Sequence, residues 1–410
     1  MNCCALPEET SSLPRFSVPI FASCDRAHKH NFMTKFTGTP CPILRTIEEV
    51  WLLSGLTDLH DTTLVNLDLT DVTLNWDKIG IDDTTLLIGC TLPIELEVSL
   101  RRRGANFLHA PQHLPYRPLR RELYTWRELM EGYTPERDNS VDLRIYEHFS
   151  HAKDCPSINE ALWQRLHDFS IDEGLRRLLD FSNNGLPRRK AVGIMGGHGT
   201  ARTAADYEKT LRTAKQLAEA GYFVMSGGGP GIMEAANLGA YLSGVSEDDV
   251  QWVLQTLATA PKYTDEGFQA AAYKILDRFP DGTESLAIPT WFYGHEPSNL
   301  FATYIAKYFS NSIREDTLLA LAYYGIVYAP GSAGTTQEIF MDATQNHYVT
   351  FDYVSPMVFL GTHRYTEETQ LFPLIQDLAR GRDYAQYLHL TDDPAEVVTF
   401  IDQHPPLFIK

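Results

Sequence analysis

Residues 330–338, PGSAGTTQE, combine the residue types needed to hold an anion beside a carboxylate. A short apolar run at 325–329 ends at this stretch, and a helical pattern of apolar residues begins after Glu338. A strand, a glycine-rich turn and a helix start leave backbone N–H groups free to converge on an anion. The threonine hydroxyls add further donors. The stretch therefore predicts chemistry on a nucleotide or a sugar phosphate.

Two more glycine-rich turns follow apolar runs earlier in the chain. AVGIM at 191–195 ends in GGHG at 196–199, and YFVM at 222–225 ends in SGGGPG at 226–231. Repeated strand–turn–helix units indicate a parallel sheet covered by helices on both faces. Ligands bind such sheets at the carboxyl ends of the strands. We therefore expect all three turns to line one crevice of a Rossmann-like α/β fold.

The spacing in these turns argues against two common nucleotide sites. A Walker loop needs a Lys followed by Ser or Thr after its last glycine, and none of the three turns has this pair. A dinucleotide fingerprint needs G-x-G-x-x-G. Arg202 stands where the third glycine would follow the first turn, and Glu234 stands there after the second. Both ATP hydrolysis and NAD binding are disfavoured.

In order and spacing, the three turns resemble the LOG-type phosphoribohydrolases and the related bacterial nucleotide 5'-monophosphate nucleosidases. That family has a glycine turn after its first strand, GGGxxG-M after the second and PGGxGTxxE after a later one. It also carries an essential Arg about one helix before the last turn. Arg314, 16 residues before Pro330, stands at that position. The resemblance covers roughly residues 188–410.

The resemblance implies two catalytic residues and a set of residues that bind the phosphate and the rest of the substrate. Glu338 would orient water and stabilise an oxocarbenium-like centre, as carboxylates do in glycoside hydrolysis. Arg314 would pair with the phosphate or with Glu338. The implied binding residues are Gly196, Gly197, Gly227, Gly228, Gly229, Gly231, Gly331, Ser332, Ala333, Gly334, Thr335 and Thr336.

The reaction implied by the resemblance is hydrolysis of the N-glycosidic bond of a nucleoside 5'-monophosphate, which gives a free base and ribose 5-phosphate. The resemblance also implies a nucleoside monophosphate as substrate and a homodimer or a higher homo-oligomer, and we predict no cofactor. The alternative is a nucleotide sensor on the same scaffold that binds without catalysis. An oxidoreductase is disfavoured by the spacing of the glycines.

The chain departs from the family pattern at two places near the predicted site. Ser332 replaces the second glycine of PGG. NSIRE at 311–315 replaces the MHxRK of cytokinin-activating members, so that activity is not carried over. The segments 244–285 and 291–297 also lie outside the short family members. The aromatic residues at 291–293 and Tyr304 could stack on a base, although core packing is the commoner role.

Composition limits the partners. The formal net charge of -18 disfavours nonspecific binding to nucleic acid or to an anionic membrane. Seven arginines lie in the segment from Arg101 to Arg127. The favoured interpretation is a solvated positive face, and the alternative is a regulatory anion pocket. The spacing of the six cysteines fits neither a zinc site nor a disulfide framework. His198, His295 and His347 belong to no motif, so no metal site is predicted.

We predict a cytoplasmic protein with reduced thiols, because no apolar stretch approaches the ~20 residues of a membrane span. The predicted domains are a smaller α+β domain at 1–150, a linking helix at 151–187 and the nucleotide-binding domain at 188–410. Residues 1–44 read as a loosely structured arm. Among the predicted elements are helices at 46–56, 157–183 and 300–309, and strands at 72–76, 86–98, 105–108 and 357–360.

Overall fold

The computed structural model of this protein describes residues 43–52, 58–111, 113–180 and 187–409. Nearly all of the predicted N-terminal arm, with four of the six cysteines, therefore lies outside the described residues. The described elements form a four-stranded sheet, a seven-stranded sheet and a two-stranded pair. The fold is α/β and Rossmann-like, as the sequence predicts.

The four-stranded sheet is built from short parallel strands in chain order. Its elements are β1 (Ile43–Leu44), α1 (Ile47–Leu52), β2 (Thr63–Val65), β3 (Leu86–Ile88), α2 (Ile94–Arg102) and β4 (Asn106–Leu108). Thr63 pairs with Leu86 and Leu86 with Asn106, so each strand lies 20 to 23 residues after its neighbour. Parallel neighbours need a crossover of a dozen or more residues, and these intervals supply it.

Two predictions in this region are wrong. The alternating residues at 72–76 form no strand: Trp76 begins a short 3-10 turn, and its side chain is buried in the core of the small sheet. The predicted strand at 86–98 ends at Ile88, and its second half belongs to α2. In both places the chain is crossing between parallel strands, so its apolar residues cover the sheet instead of extending it. The prediction at 105–108 is confirmed by β4.

The seven-stranded sheet is entirely parallel, in the order β12-β11-β9-β5-β6-β7-β8. Its strands are β5 (Ala191–Met195), β6 (Phe223–Ser226), β7 (Leu286–Ala287), β8 (Tyr304–Ile305), β9 (Ile326–Tyr328), β11 (Met357–Leu360) and β12 (Leu388–Thr391). β10 (Tyr353–Val354) pairs instead with β13 (Leu407–Phe408) in antiparallel fashion. The strand order changes direction at β5, which lies between β6 and β9. This is the switch point at which such sheets bind ligands.

Helices cover both faces of this sheet. Along β5, Ala191 and Met195 belong to one core cluster, while Val192 and Ile194 belong to another. This alternation follows from the two-residue period of a strand. The helices are α3 (Trp126–Leu129), α4 (Val141–Ala152), α5 (Ile158–Leu179), α6 (Ala205–Glu219), α7 (Ile232–Tyr241), α8 (Glu247–Leu257), α9 (Phe268–Arg278), α10 (Asn311–Leu321), α11 (Ala333–Tyr348), α12 (Leu371–Ala379) and α13 (Pro394–Gln403).

The helix predicted between the two halves packs against the large sheet. Ser157 caps the start of α5 through Glu160 N–H, as its sequence spacing predicts. Leu175 and Leu179 at its other end lie in the same core cluster as β5. The division of the chain at 150 and 187 stays a prediction, although residues from Tyr116 onward already contribute to this core.

The segment around 244–285 contains two helices, α8 and α9. Their apolar faces pack on α6 and α7 in a core cluster of their own. The predicted helix at 300–309 is wrong, because this stretch holds the two-residue strand β8 at the sheet edge. Its apolar residues satisfy helical spacing, yet pairing with β7 determines the backbone there.

Candidate functional site

The three glycine-rich turns meet at the carboxyl ends of β5, β6 and β9. The N–H of Gly197 donates to the Pro330 carbonyl over 3.0 Å, which joins the first turn to the third. The N–H of Ile232 donates to the Gly197 carbonyl over 3.1 Å, which joins the second turn to the first. Together the turns line a cleft with a volume of ≈ 950 Å³. The predicted common crevice is present.

Two glycines are needed for these close contacts. Gly231 has φ +69°, and a Cβ there would lie 2.5 Å from the Gly197 carbonyl oxygen. A Cβ on Gly331 would lie 2.1 Å from the hydroxyl oxygen of Thr335. Such distances are far below van der Waals contact, so any side chain would push the turns apart. Glycine at these positions therefore sets the shape of the cleft.

Most of the predicted binding residues line the cleft. Gly231 and Thr336 do not: Gly231 supports the contact between turns, and the Thr336 hydroxyl donates to the Ser332 carbonyl over 3.0 Å. Ser332 precedes the first residue of α11, and its side chain makes no capping hydrogen bond. The predicted residues that line the cleft are Gly196, Gly197, Gly227, Gly228, Gly229, Gly331, Ser332, Ala333, Gly334 and Thr335.

Glu338 lies on α11 with its side chain in the cleft and 8% of the residue exposed. No hydrogen bond to its carboxyl group is formed by any residue that the structure describes. Burial raises the pKa of Glu338 to about 8; Arg314 opposes this rise and the negative charge of Glu315 adds to it. Thr335 and Glu338 are three residues apart, so they share one face of the helix. A protonated carboxyl group thus stands beside the turn at neutral pH.

Arg314 is held by a neighbouring carboxylate and by a backbone carbonyl. Its Nη1 donates to Glu315 Oε1 over 2.6 Å, and its Nε donates to the Ile288 carbonyl over 2.7 Å. The helix that carries it is anchored at its start, where Ser310 N–H donates to the Asp168 carboxylate of α5. Arg314 therefore has Glu315 as its ion-pair partner, while its charge still acts on Glu338.

Glu315 is the second buried carboxyl group of the cleft. It is 6% exposed and lines the cleft beside Arg314. Its Oε2 is buried and has no hydrogen-bond partner among the described residues. Sequence reasoning identified Glu315 only as a departure from the family pattern. The unpartnered oxygen depends on side-chain orientation, which the sequence does not reveal.

Sequence reasoning missed Arg364, which follows β11. Its Nη2 donates to the Gly331 carbonyl over 2.6 Å, and its Nη1 contacts Glu368 over 3.0 Å. Both side chains line the cleft. A signal was available, because a residue just after the predicted strand at 357–360 must lie at the same sheet edge as the glycine turns.

The two residues that break the dinucleotide fingerprints are paired with each other. The Arg202 guanidinium donates to both carboxylate oxygens of Glu234, over 2.9 and 2.6 Å. Tyr207 donates to the same carboxylate, and the Phe268 carbonyl accepts from Arg202 Nη1. The residues at the third-glycine positions of two turns thus form a buried ion pair, which also connects these turns to the first residue of α9.

A side chamber of ≈ 370 Å³ adjoins the cleft and shares four lining residues with it. At the boundary, Lys307 is buried and ion-paired with Asp142 over 2.8 Å. Trp291, which could have stacked on a base, is fully buried and donates to the same carboxylate. Tyr293 lines the cleft and is 69% exposed, so it remains available to a ligand.

The arginines of the segment 101–127 are dispersed among separate partners. Arg101 pairs with Glu97 on α2, and Arg120 pairs with Glu128 over 2.8 Å. Arg103 donates to the Trp76 carbonyl in the small sheet. The charges of Arg101 and Arg120 are thus each balanced by a separate carboxylate.

Comparison with known proteins identifies one segment of the chain. Residues 189–246, which contain the first two glycine turns, match the model of the SLOG cluster4 family. Over these residues, the match confirms the LOG-type resemblance. The SLOG segment begins two residues before β5 and ends just after α7. No curated protein matches the chain.

The solved structures to which this chain is similar include two molybdenum cofactor proteins. The molybdenum cofactor carrier protein from Chlamydomonas reinhardtii is 17% identical, with a TM-score of 0.34, and the match covers 53% of this chain and 98% of that one. The molybdenum cofactor binding protein from Rippkaea orientalis is 14% identical, with a TM-score of 0.34, and the match covers 53% and 97%. Likeness at this level carries no information about activity.

Two remaining features of the described residues concern membrane-spanning helices and metal sites. Within the described ranges, no helix combines the length and the apolar character needed to cross a membrane. In the same residues, no group of three or more His, Cys, Asp or Glu side chains is arranged to hold a metal ion.

Proposed function

We propose that this protein hydrolyses the N-glycosidic bond of a nucleoside 5'-monophosphate to a free base and ribose 5-phosphate. The observation that carries the proposal is Glu338. Its buried carboxyl group shares a cleft with three glycine-rich turns and lies on the same helix face as Thr335. A carboxyl group beside an anion site places acid–base chemistry next to the sugar of a bound nucleotide.

The 5'-phosphate would bind at the start of α11. This helix has 16 residues, so its first N–H groups and its dipole both favour an anion. Thr335 lines the cleft there and offers a hydroxyl donor. Arg364 contacts the same turn through the Gly331 carbonyl and adds positive charge nearby. With the phosphate at this point, the ribose lies against Glu338.

The raised pKa of Glu338, about 8, gives this residue a defined role at neutral pH. Its proton would pass to the departing base as the bond between C1' and the base nitrogen breaks. The resulting carboxylate would stabilise the oxocarbenium-like centre. It would then accept a proton from the water whose oxygen bonds to C1'. One carboxyl group thus returns to its starting state after each turnover.

Nucleotide binding without hydrolysis is the second candidate function. It is favoured by the ion pair between Arg314 and Glu315, since this arginine is already partnered within the protein. Such a protein would hold the nucleotide in the same cleft and act as a sensor. The two functions differ only in whether the base is released.

The test is to incubate the protein with a panel of ribonucleoside 5'-monophosphates and to measure free base by chromatography. We expect release from at least one nucleotide. The isosteric variant Glu338→Gln should lower the rate by at least about a hundredfold, because it removes a general acid. Glu367→Gln is the matched control, since this exposed carboxylate lies outside the cleft.

Binding of a nucleotide with no release of base by the unmodified protein would favour the sensor over the enzyme. Equal release by Glu338→Gln would assign the chemistry to another residue. Two further proposals follow from the resemblance: a cytoplasmic location and self-association to at least a dimer. Light scattering coupled to size-exclusion chromatography tests the second, and a monomeric mass would exclude it.

A further inference from the structure

Glu315 carries an unsatisfied hydrogen-bonding atom in the wall of the cleft. Its Oε1 accepts from Arg314, but its Oε2 is buried without a partner among the described residues. A buried carboxylate oxygen without a donor is costly, and native structures rarely keep one without a reason. Because Glu315 is 94% buried and lines the cleft, a bound ligand is the natural source of the donor.

One other unpartnered atom belongs to a residue that lines the cleft. This is Nδ1 of His295, whose side chain is 23% exposed. A neutral imidazole nitrogen costs less to leave unpartnered than a carboxylate oxygen does. The unpartnered oxygen of Glu315 therefore costs more than the unpartnered nitrogen of His295, and it indicates that the ligand supplies a hydrogen-bond donor.

The position of Glu315 shows which part of a nucleotide it would face. Arg314, Glu315 and Glu338 all line the cleft, and the charges of the first two act on the third. In the proposed function, Glu338 lies at C1' of the ribose and the phosphate lies at the start of α11. The donor nearest to C1' on the sugar is the 2'-hydroxyl, which is carried by the neighbouring carbon.

We propose that Glu315 Oε2 accepts a hydrogen bond from the ribose 2'-hydroxyl and thereby makes the cleft select ribonucleotides over 2'-deoxyribonucleotides. This inference rests on the proposed function. A site built to bond a substrate hydroxyl discriminates strongly against an analogue that lacks it, because its own polar group is then left unpaired. A hydrogen bond to the 2-hydroxyl also strengthens as positive charge develops at the anomeric carbon.

The experiment measures both binding and base release for each ribonucleoside 5'-monophosphate and its 2'-deoxy and 3'-deoxy counterparts. We expect the preferred ribonucleotide to bind at least about tenfold more tightly than its 2'-deoxy form. Loss of the 3'-hydroxyl should have a smaller effect. The variant Glu315→Gln replaces the carboxylate with a neutral amide, whose hydrogen bond to the 2'-hydroxyl is weaker than a charge-assisted one. It should therefore reduce the preference to less than about threefold, while Glu367→Gln retains it.

Each outcome decides between distinct conclusions. Equal affinity for the ribo and 2'-deoxy forms overturns the role of Glu315, and base release then still supports the nucleosidase. A ribo preference that Glu315→Gln removes, without any base release, supports Glu315 but contradicts hydrolysis. A preference that follows the 3'-hydroxyl instead overturns the assignment to the 2'-hydroxyl. No binding by any nucleotide contradicts both proposals.

A folding control keeps the variant informative. Thermal melting should show that Glu315→Gln retains a cooperative transition near that of the unmodified protein. If it does not, Glu315→Asp keeps the negative charge and shortens the side chain by one methylene, so it should weaken the ribo preference only in part. The ratio of affinities in the unmodified protein tests the inference even without a variant.

Discussion

Two buried arginine–glutamate pairs lie at the same edge of the large sheet, and they differ in how completely they are satisfied. In the pair Arg202–Glu234, both carboxylate oxygens accept from the guanidinium, and Tyr207 donates a further hydrogen bond. In the pair Arg314–Glu315, one oxygen is bonded and the other is buried without a partner. The first pair is complete within the protein, whereas the second lacks a donor.

This difference separates a structural pair from a functional one. Arg202–Glu234 joins two glycine turns to the first residue of α9, and its position explains why the chain lacks the third glycine of a dinucleotide fingerprint. Arg314–Glu315 instead borders the cleft next to Glu338, whose carboxyl group is also without a hydrogen bond among the described residues. Two carboxyl groups that lack hydrogen bonds within the described residues therefore line the same cleft, where a ligand would complete them.

The largest expected effect concerns the stability of the two pairs. Glu234→Gln should lower the free energy of unfolding by about 3–5 kcal/mol, because it leaves the Arg202 charge buried without its partner. Glu315→Gln should cost less than Glu234→Gln, because Glu338 can ionise beside Arg314 and replace the lost charge. Urea denaturation measures both. The surface carboxylate Glu247, paired with Arg212, provides a matched control in Glu247→Gln. Similar losses for Glu234→Gln and Glu315→Gln would abolish the distinction.

The second expected effect is a loss of stability as pH rises. Burial raises the pKa of Glu338 to about 8 and that of Asp342, one turn further along α11, to about 7. The folded protein therefore holds protons that the unfolded chain releases above pH ~4–5, and stability falls between that pH and ~8. Each pKa unit corresponds to ~1.4 kcal/mol. Melting temperatures measured across this range should decline less steeply for Glu338→Gln; an unchanged slope would contradict the raised pKa.

Most of the large sheet could be predicted from the sequence, and the reasons are local. The runs at 191–195 and 357–360 are continuous apolar segments bounded by turn residues. The first matches β5 and the second matches β11. The wrong helix at 300–309 lies where β8 has only two residues. Edge strands of that length leave no periodic signal, since pairing with a distant strand determines them.

The candidate site, too, could be predicted from the sequence only in part. The glycine turns were visible because each directly follows a strand, and strand ends of a parallel sheet share one edge. The partner of Arg314, the unpartnered oxygen of Glu315 and the contact of Arg364 with Gly331 were not visible. They depend on how side chains from separate helices meet, which sequence spacing does not specify.

A smaller effect is expected at the third turn. A Cβ on Gly331 would clash with the Thr335 hydroxyl. Overpacking of this kind costs about 1–3 kcal/mol, so Gly331→Ala should weaken nucleotide binding roughly tenfold or more. Gly199→Ala is the matched control, because it adds the same methyl group to another turn of the cleft at a point where a Cβ meets no atom within 4 Å. Calorimetric titration measures both, and equal affinities would show that the turn does not shape the phosphate site.

The smallest expected effect on nucleotide binding distinguishes the roles of two neighbouring threonines. Thr335 is 5% exposed and lines the cleft, whereas the Thr336 hydroxyl is bonded to the Ser332 carbonyl. Loss of a neutral hydrogen bond costs about 1 kcal/mol. Thr335→Val should therefore weaken nucleotide binding about fivefold, and Thr336→Val should change it less than about twofold. The opposite order would indicate that the phosphate lies further along the outer face of α11.

The most direct test of the central claim is single-turnover release of base, followed from pH 6 to 9 with the nucleotide that the panel selects. We expect the unmodified protein to release base at a rate that falls as pH rises through about 8, because Glu338 then loses the proton that the leaving base needs. Glu338→Gln should be slow and should show no such dependence. A rate that increases through this range, or that Glu338→Gln leaves unchanged, would contradict a proton-donating Glu338 at the centre of the cleft.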